Sequence, residues 1–199
     1  MIRANGLSKS MAAIIALSLG TTAMAAAAEP FVLTSSSLKD GAAIPKKFAA
    51  NDPVRTCTPL VKTICPCPGD NVSPQLAWAH APAETRSFAI LMFDVDGQWG
   101  LGVSHWVAYS IPAKLTALAE GEATRGSANF VGGTGTRGGN LYVGPCPPQG
   151  DGPHHYSVTV MALDLAPGAL KPGLTREEFM AAAKGHLLAS SSIGGTFGR

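Results

Sequence analysis

Three places in this chain set acid–base side chains at the ends of apolar runs. Asp94 and Asp96 close SFAILMFDVD, residues 87–96. His105 stands near the start of SHWVAYSI, residues 104–111. His154 and His155 open HHYSVTVMALDL, residues 154–165, directly behind the proline-rich GPCPPQGDGP. A carboxylate beside an imidazole fixes the ring's tautomer and favours its protonated form. Two such rings can hold an anion by charge-assisted hydrogen bonds. Pro147 and Pro148 fix their backbone, so the loop they form can wall a site without losing flexibility when a ligand arrives. The same residues admit a second chemistry, in which Asp94 with His105 or His154 is the general acid–base pair of a hydrolase. That reading ranks lower, because no activated nucleophile and no metal triad accompanies the pair.

These side chains need strands whose ends meet at one rim of a sheet. Residues 87–96 are almost continuously apolar and read as a strand buried on both faces. Residues 104–111 carry β-branched and aromatic side chains and stop at Pro112, as a strand would. Residues 154–165 alternate, with Tyr156, Val158 and Val160 on one face and Ser157 and Thr159 on the other. That alternation points His155 away from His154, so His155 reads as a surface residue, and His186 is given no chemistry. FVLTSSSL and QLAW are further strands; residues 49–74 have loop composition. One helix is expected, with Thr175 as N-cap and Glu178 completing a capping box, running to about Ala189. Residues 121–140 read as a long glycine-rich surface loop, and SSIGGTFGR as a short extended tail. The fold class is mainly β: antiparallel strands with one late helix.

The chain has 199 residues, enough for one domain with a substantial core. Residues 1–28 read as a secretory signal peptide: Arg3 and Lys9, a short apolar run at 11–19, then small residues before a cleavage site. The apolar run is too short to span a bilayer, so the mature form, residues 29–199, is expected to be a periplasmic or secreted single domain without a transmembrane segment. Loss of Arg3 and Lys9 brings the formal charge from +2 to about zero. No basic cluster or aromatic ladder suggests nucleic-acid binding. GGTGTRGGN lacks the GK[ST] ending of a phosphate loop, and Ser190 to Ser192 lack the context of a nucleophile elbow. Four cysteines, Cys57, Cys65, Cys67 and Cys146, stand in an exported chain, which favours disulfides. A metal site is the alternative, but CPC at Cys65 and Cys67 lacks the gap of a zinc knuckle.

Taken in order, DNVSPQLAW, SFAILMFDVD, SHWVAYSIP, GPCPPQGDGPHHY and FMAAAKGHLLASSSIGGTFGR resemble the phosphatidylethanolamine-binding protein family, in particular its bacterial Raf-kinase-inhibitor-like branch. The likeness runs from about Phe31 to the C-terminus. It implies a large antiparallel sheet packed with a smaller one, few helices including one near the C-terminus, and a small anion pocket. Carried over by motif, the pocket residues are Asp94, His105, Pro147, Pro148 and His154, with Tyr156 near its base. The implied ligand is a phosphate, a carboxylate or a phosphorylethanolamine-like group, held without catalysis and without a cofactor. Regulation of a periplasmic partner protein is a further alternative. The resemblance also implies that Cys67 pairs with Cys146, leaving Cys57 to pair with Cys65 in RTCTPLVKTICP, which looks like an insertion. The family's D-P-D-x-P is here DVDGQWG, without either proline.

Overall fold

The structure is a computed structural model that describes Met1 and residues 29–52 and 66–199. The expected signal peptide and its cleavage site, Cys57 and Cys65 lie outside the described residues. The strands are β1 (Val32–Thr34), β2 (Ala42–Ala43), β3 (Asn51–Asp52), β4 (Cys67–Pro68), β5 (Leu76–Ala79), β6 (Ser87–Asp94), β7 (Val103–Pro112), β8 (Ala117–Leu118), β9 (Val131–Gly132), β10 (His154–Leu163) and β11 (Leu187–Phe197). Among the described residues, three short α-helices join them: α1 (Gly97–Gly100), α2 (Glu122–Arg125) and α3 (Arg176–Ala182). A six-stranded sheet has the order β2-β11-β10-β6-β7-β9, and a smaller sheet the order β1-β5-β8. All pairings are antiparallel except β2 with β11.

β6 lies in the middle of the large sheet and is covered on both faces. Phe88, Ile90 and Met92 enter the core against Leu33, Leu76 and Trp78 of the small sheet. Ala89 and Leu91 face the other way, into a second cluster with Phe179 and Ala183 at α3. An uninterrupted apolar sequence is therefore what this position requires. β10 alternates as its sequence does, with Tyr156, Val158 and Val160 buried and Ser157 and Thr159 part-exposed.

Three expectations need correction. The helix begins as expected: Thr175 accepts from the Glu178 N–H and Glu178 reaches back to the Thr175 N–H. It ends at Ala182 rather than near Ala189, because the chain turns at Gly185, where φ is +85°. SSIGGTFGR is not a short tail: it lies largely within the eleven-residue β11, which pairs along nearly all of β10. Residues 121–140 are not one loop: they hold α2 and β9, and the Gly133 and Thr136 N–H groups bond back to Val107 and Ser104 of β7.

Antiparallel pairing places the site. β7 and β10 both begin where β6 ends, with Asp94 opposite Val103 on one side and Tyr156 on the other. One rim of the sheet thus gathers Asp94, His105 and His154.

Candidate functional site

Asp94 is the centre of the rim. Its Oδ1 accepts from the backbone N–H groups of Asp96 and Gly97, each at 3.0 Å. Its Oδ2 accepts from His154 Nδ1 at 2.8 Å and lies 3.9 Å from His105 Nε2. The turn after β6 must fold tightly over the carboxylate. A Cβ on Gly97 would lie 2.6 Å from Val103 Cγ2 and 3.1 Å from Asp94 Oδ2, so this position requires glycine. Burial alone would raise the pKa of Asp94. The two imidazoles, the charge on His154 and the Asp96 N–H outweigh it and bring the pKa down to about 2. Asp94 is therefore a buried, permanent anion.

The tautomers follow from the partners. Asp94 only accepts, so His154 carries a proton on Nδ1. The Val143 carbonyl also only accepts, so His105 donates to it from Nδ1, at 2.8 Å. In both rings Nε2 is the nitrogen left for the site. The Nε2 of His154 lies 3.7 Å from Asp151 Oδ2. When the rings are neutral these atoms are acceptors, and an anion needs them protonated. The His105 ring meets Tyr156 edge to face, with centroids 5.4 Å apart. Burial first, and then the charge of Asp94, push the Tyr156 phenol up, so it stays protonated. Its hydroxyl has no hydrogen-bond partner among the described residues.

In front of these rings is a cavity of about 430 Å³. Asp94, His105, Pro147, Pro148 and His154 all line it, so five of the six residues singled out in the sequence come together. Tyr156 does not line it; it packs behind His105 and borders a separate small crevice with Ile44 and Val158. Cys67 and Cys146 are joined, with Cα atoms 5.8 Å apart, which is the pairing the resemblance implies. Cys146 itself lies in the cavity wall.

Other lining residues were not singled out. Arg137 and Thr136 come from the glycine-rich GGTGTRGGN. Trp99 stands almost fully exposed at the rim, displayed by two successive left-handed residues, Gln98 at φ +51° and Trp99 at φ +59°. The signal for Trp99 was its place directly after the D-x-D pair, in a turn without the family's prolines. His155 lies outside the cavity lining, exposed, with its N–H and Nδ1 on Asp96 Oδ2 at 2.7 and 3.0 Å. His186 is remote from the site and bonds Asp164 at 2.7 Å.

The family model for phosphatidylethanolamine-binding protein matches residues 34–198. The chain belongs to the phosphatidylethanolamine-binding protein family. Among its curated relatives is a UPF0098 protein of Aquifex aeolicus, 32% identical over 169 residues, which are 83% of this chain and 86% of that one. LppC of Mycobacterium tuberculosis, which its name places among lipoproteins, is 35% identical over 158 residues, 77% of this chain and 68% of that one. Among solved structures, Escherichia coli YbcL superposes with a TM-score of 0.72 at 27% identity, covering 86% of this chain and 99% of YbcL. CT736 of Chlamydia trachomatis gives a TM-score of 0.69 at 28% identity, over 85% and 98% of the two chains. This member of the phosphatidylethanolamine-binding protein family thus shares its fold with these two bacterial proteins over nearly their whole length.

Proposed function

We propose that this protein is an exported, non-catalytic binding protein for a small anion: a phosphate, a carboxylate or the phosphate of a phospholipid head group. The observation that carries the reading is the arrangement of the two imidazoles around Asp94. Each ring spends Nδ1 on a fixed acceptor and leaves Nε2 for the cavity, beside the buried carboxylate of Asp94. An anion entering the cavity would take one charge-assisted hydrogen bond from each Nε2. Pro147 and Pro148 would wall the site, and Tyr156 would support His105 from behind. Family membership and the lipoprotein name of LppC support a binding role outside the cytoplasm.

Holding rather than hydrolysing is supported by the state of two potential nucleophiles in the lining. Cys146 is in a disulfide, and Thr136 Oγ1 accepts the Ser104 N–H at 2.8 Å. The test is calorimetric titration of the oxidised protein near pH 6 with inorganic phosphate and with phosphorylethanolamine, beside His154→Ala. Saturable binding that the variant loses is expected. Equal binding by the variant would overturn the reading. Release of inorganic phosphate from phosphorylethanolamine during the titration would favour the hydrolase instead.

A further inference from the structure

The Pro147–Pro148 wall has an unusual weakness. Pro145, Pro147 and Pro148 have no N–H, so this stretch cannot be secured by donating into a ladder. Its prolines can be held only through their carbonyls. The Ala50 N–H bonds the Pro145 carbonyl at 3.0 Å, and the Gly144 N–H bonds Asn71 Oδ1 at 2.8 Å. Nearest the cavity, two links join the wall to the segment around β4. One is the Cys67–Cys146 disulfide. The other is Arg199, whose Nε donates to the Pro147 carbonyl at 2.6 Å and whose Nη1 donates to the Pro66 carbonyl at 2.7 Å. The two links thus connect neighbouring residues of the same two segments, 66 to 147 through the guanidinium and 67 to 146 through sulfur. β11 delivers Arg199 to this place. Its last residues pair with the histidine strand, Phe197 opposite His154 and Thr196 opposite His155.

We propose that Arg199 is a positioning residue for the pocket, a guanidinium clamp that works in parallel with the disulfide to hold the Pro147–Pro148 wall. Either link alone keeps the wall in place, and the pocket loosens when both are gone. The clamp favours the disulfide in return, because it holds the two sulfurs within reach. The part of this claim that concerns ligand affinity rests on the anion-pocket reading; the part that concerns the wall does not.

Two measurements separate them, on the full chain as wild type, Arg199→Ala and Arg199→Lys. The first is the equilibrium of the Cys67–Cys146 disulfide with glutathione. Two glutathione thiols become one glutathione disulfide as the protein's sulfur–sulfur bond is replaced by two thiols, followed by alkylation and mass spectrometry of the peptides holding Cys67 and Cys146. Arg199→Ala is expected to shift this equilibrium about tenfold toward the thiols, the scale of losing charge-assisted hydrogen bonds. Arg199→Lys should fall between, since a single ammonium nitrogen keeps the charge but lacks the planar fork that reaches the two carbonyls from two nitrogens. An equilibrium unchanged within about twofold in Arg199→Ala would overturn the proposal. The second is phosphate affinity, oxidised and reduced. Reduction or Arg199→Ala alone should weaken binding about threefold or less, and the two together by more than the product of the separate effects. Independent, multiplying effects would overturn the shared role. If wild type binds no phosphate, the anion-pocket reading fails while the glutathione equilibrium still decides the clamp.

Discussion

Asp94 does two things at once: it closes the turn after β6 and it fixes the tautomer of the His154 ring. The first shows in stability. Its pKa in the folded protein, about 2, lies below that of an ordinary aspartate, so it stabilises the fold above about pH 4 and that contribution is lost as pH falls through about 2. The size is on the order of 2 kcal/mol for this buried group. Asp94→Asn should therefore be less stable than wild type in urea at neutral pH. The gap should close between about pH 4 and pH 2, and a gap independent of pH would contradict the account. Gly97→Ala tests the turn itself. The new methyl group must displace Val103 or the Asp94 carboxylate, at a cost of about 1–3 kcal/mol, measurable as a lowered urea midpoint and accompanied by weaker anion binding. At this scale the sequence was informative. Asp94, His105 and His154 were legible because each stands at the end of an apolar run. Arg137 and Asp151 were not, because they stand in stretches whose composition says only that they are loops.

The elements that aim these residues follow simple patterns where burial is regular. β6 reads as a strand covered on both faces, and β10 as one with a buried and a part-exposed face, because each occupies such an environment over its length. β11 was missed for a physical reason. Its sequence, LLASSSIGGTF, lacks an apolar alternation because its neighbours ask for small and polar groups: Ser191 Oγ accepts the Leu33 N–H at 2.9 Å, and a Cβ on Gly195 would lie 2.9 Å from the Ala42 carbonyl. The same stretch, read at helical spacing, extends the helix past its true end; Ala182 and Leu187, which fit that spacing, are exposed. The start of α3 was legible because a capping box is local chemistry. Thr175→Ala should cost about 1 kcal/mol in urea unfolding. Phosphate affinity should be unchanged, since α3 packs on the face away from the small sheet and outside the cavity lining. Lost binding in that variant would place α3 in the site.

Across the whole molecule, the cavity is assembled from strand ends and loops far apart in the chain. The end of β6 gives Asp94, the turn after it gives Trp99, the glycine-rich stretch gives Arg137, and the proline loop gives its wall. The disulfide crosses 79 residues of sequence to fasten that wall. Antiparallel order is what makes the assembly possible: the two strands beside β6 begin where it ends. Such convergence depends on strand order, which composition and periodicity do not reveal; the resemblance to a known family supplied it. The proposed function requires the cavity to hold an anion through protons on the Nε2 atoms of His105 and His154. Both atoms lack a proton when the rings are neutral, so an anion that binds by accepting from them must bring protons with it wherever the rings are neutral. The direct measurement is calorimetry of acetate binding at about pH 7.5, in two buffers of different ionisation enthalpy, since acetate does not itself titrate there. Proton uptake per acetate is predicted to be larger at about pH 7.5 than at about pH 6, with affinity weakening as the pH is raised. Anion binding with no proton uptake at pH 7.5 and the same affinity at both pH values would contradict it.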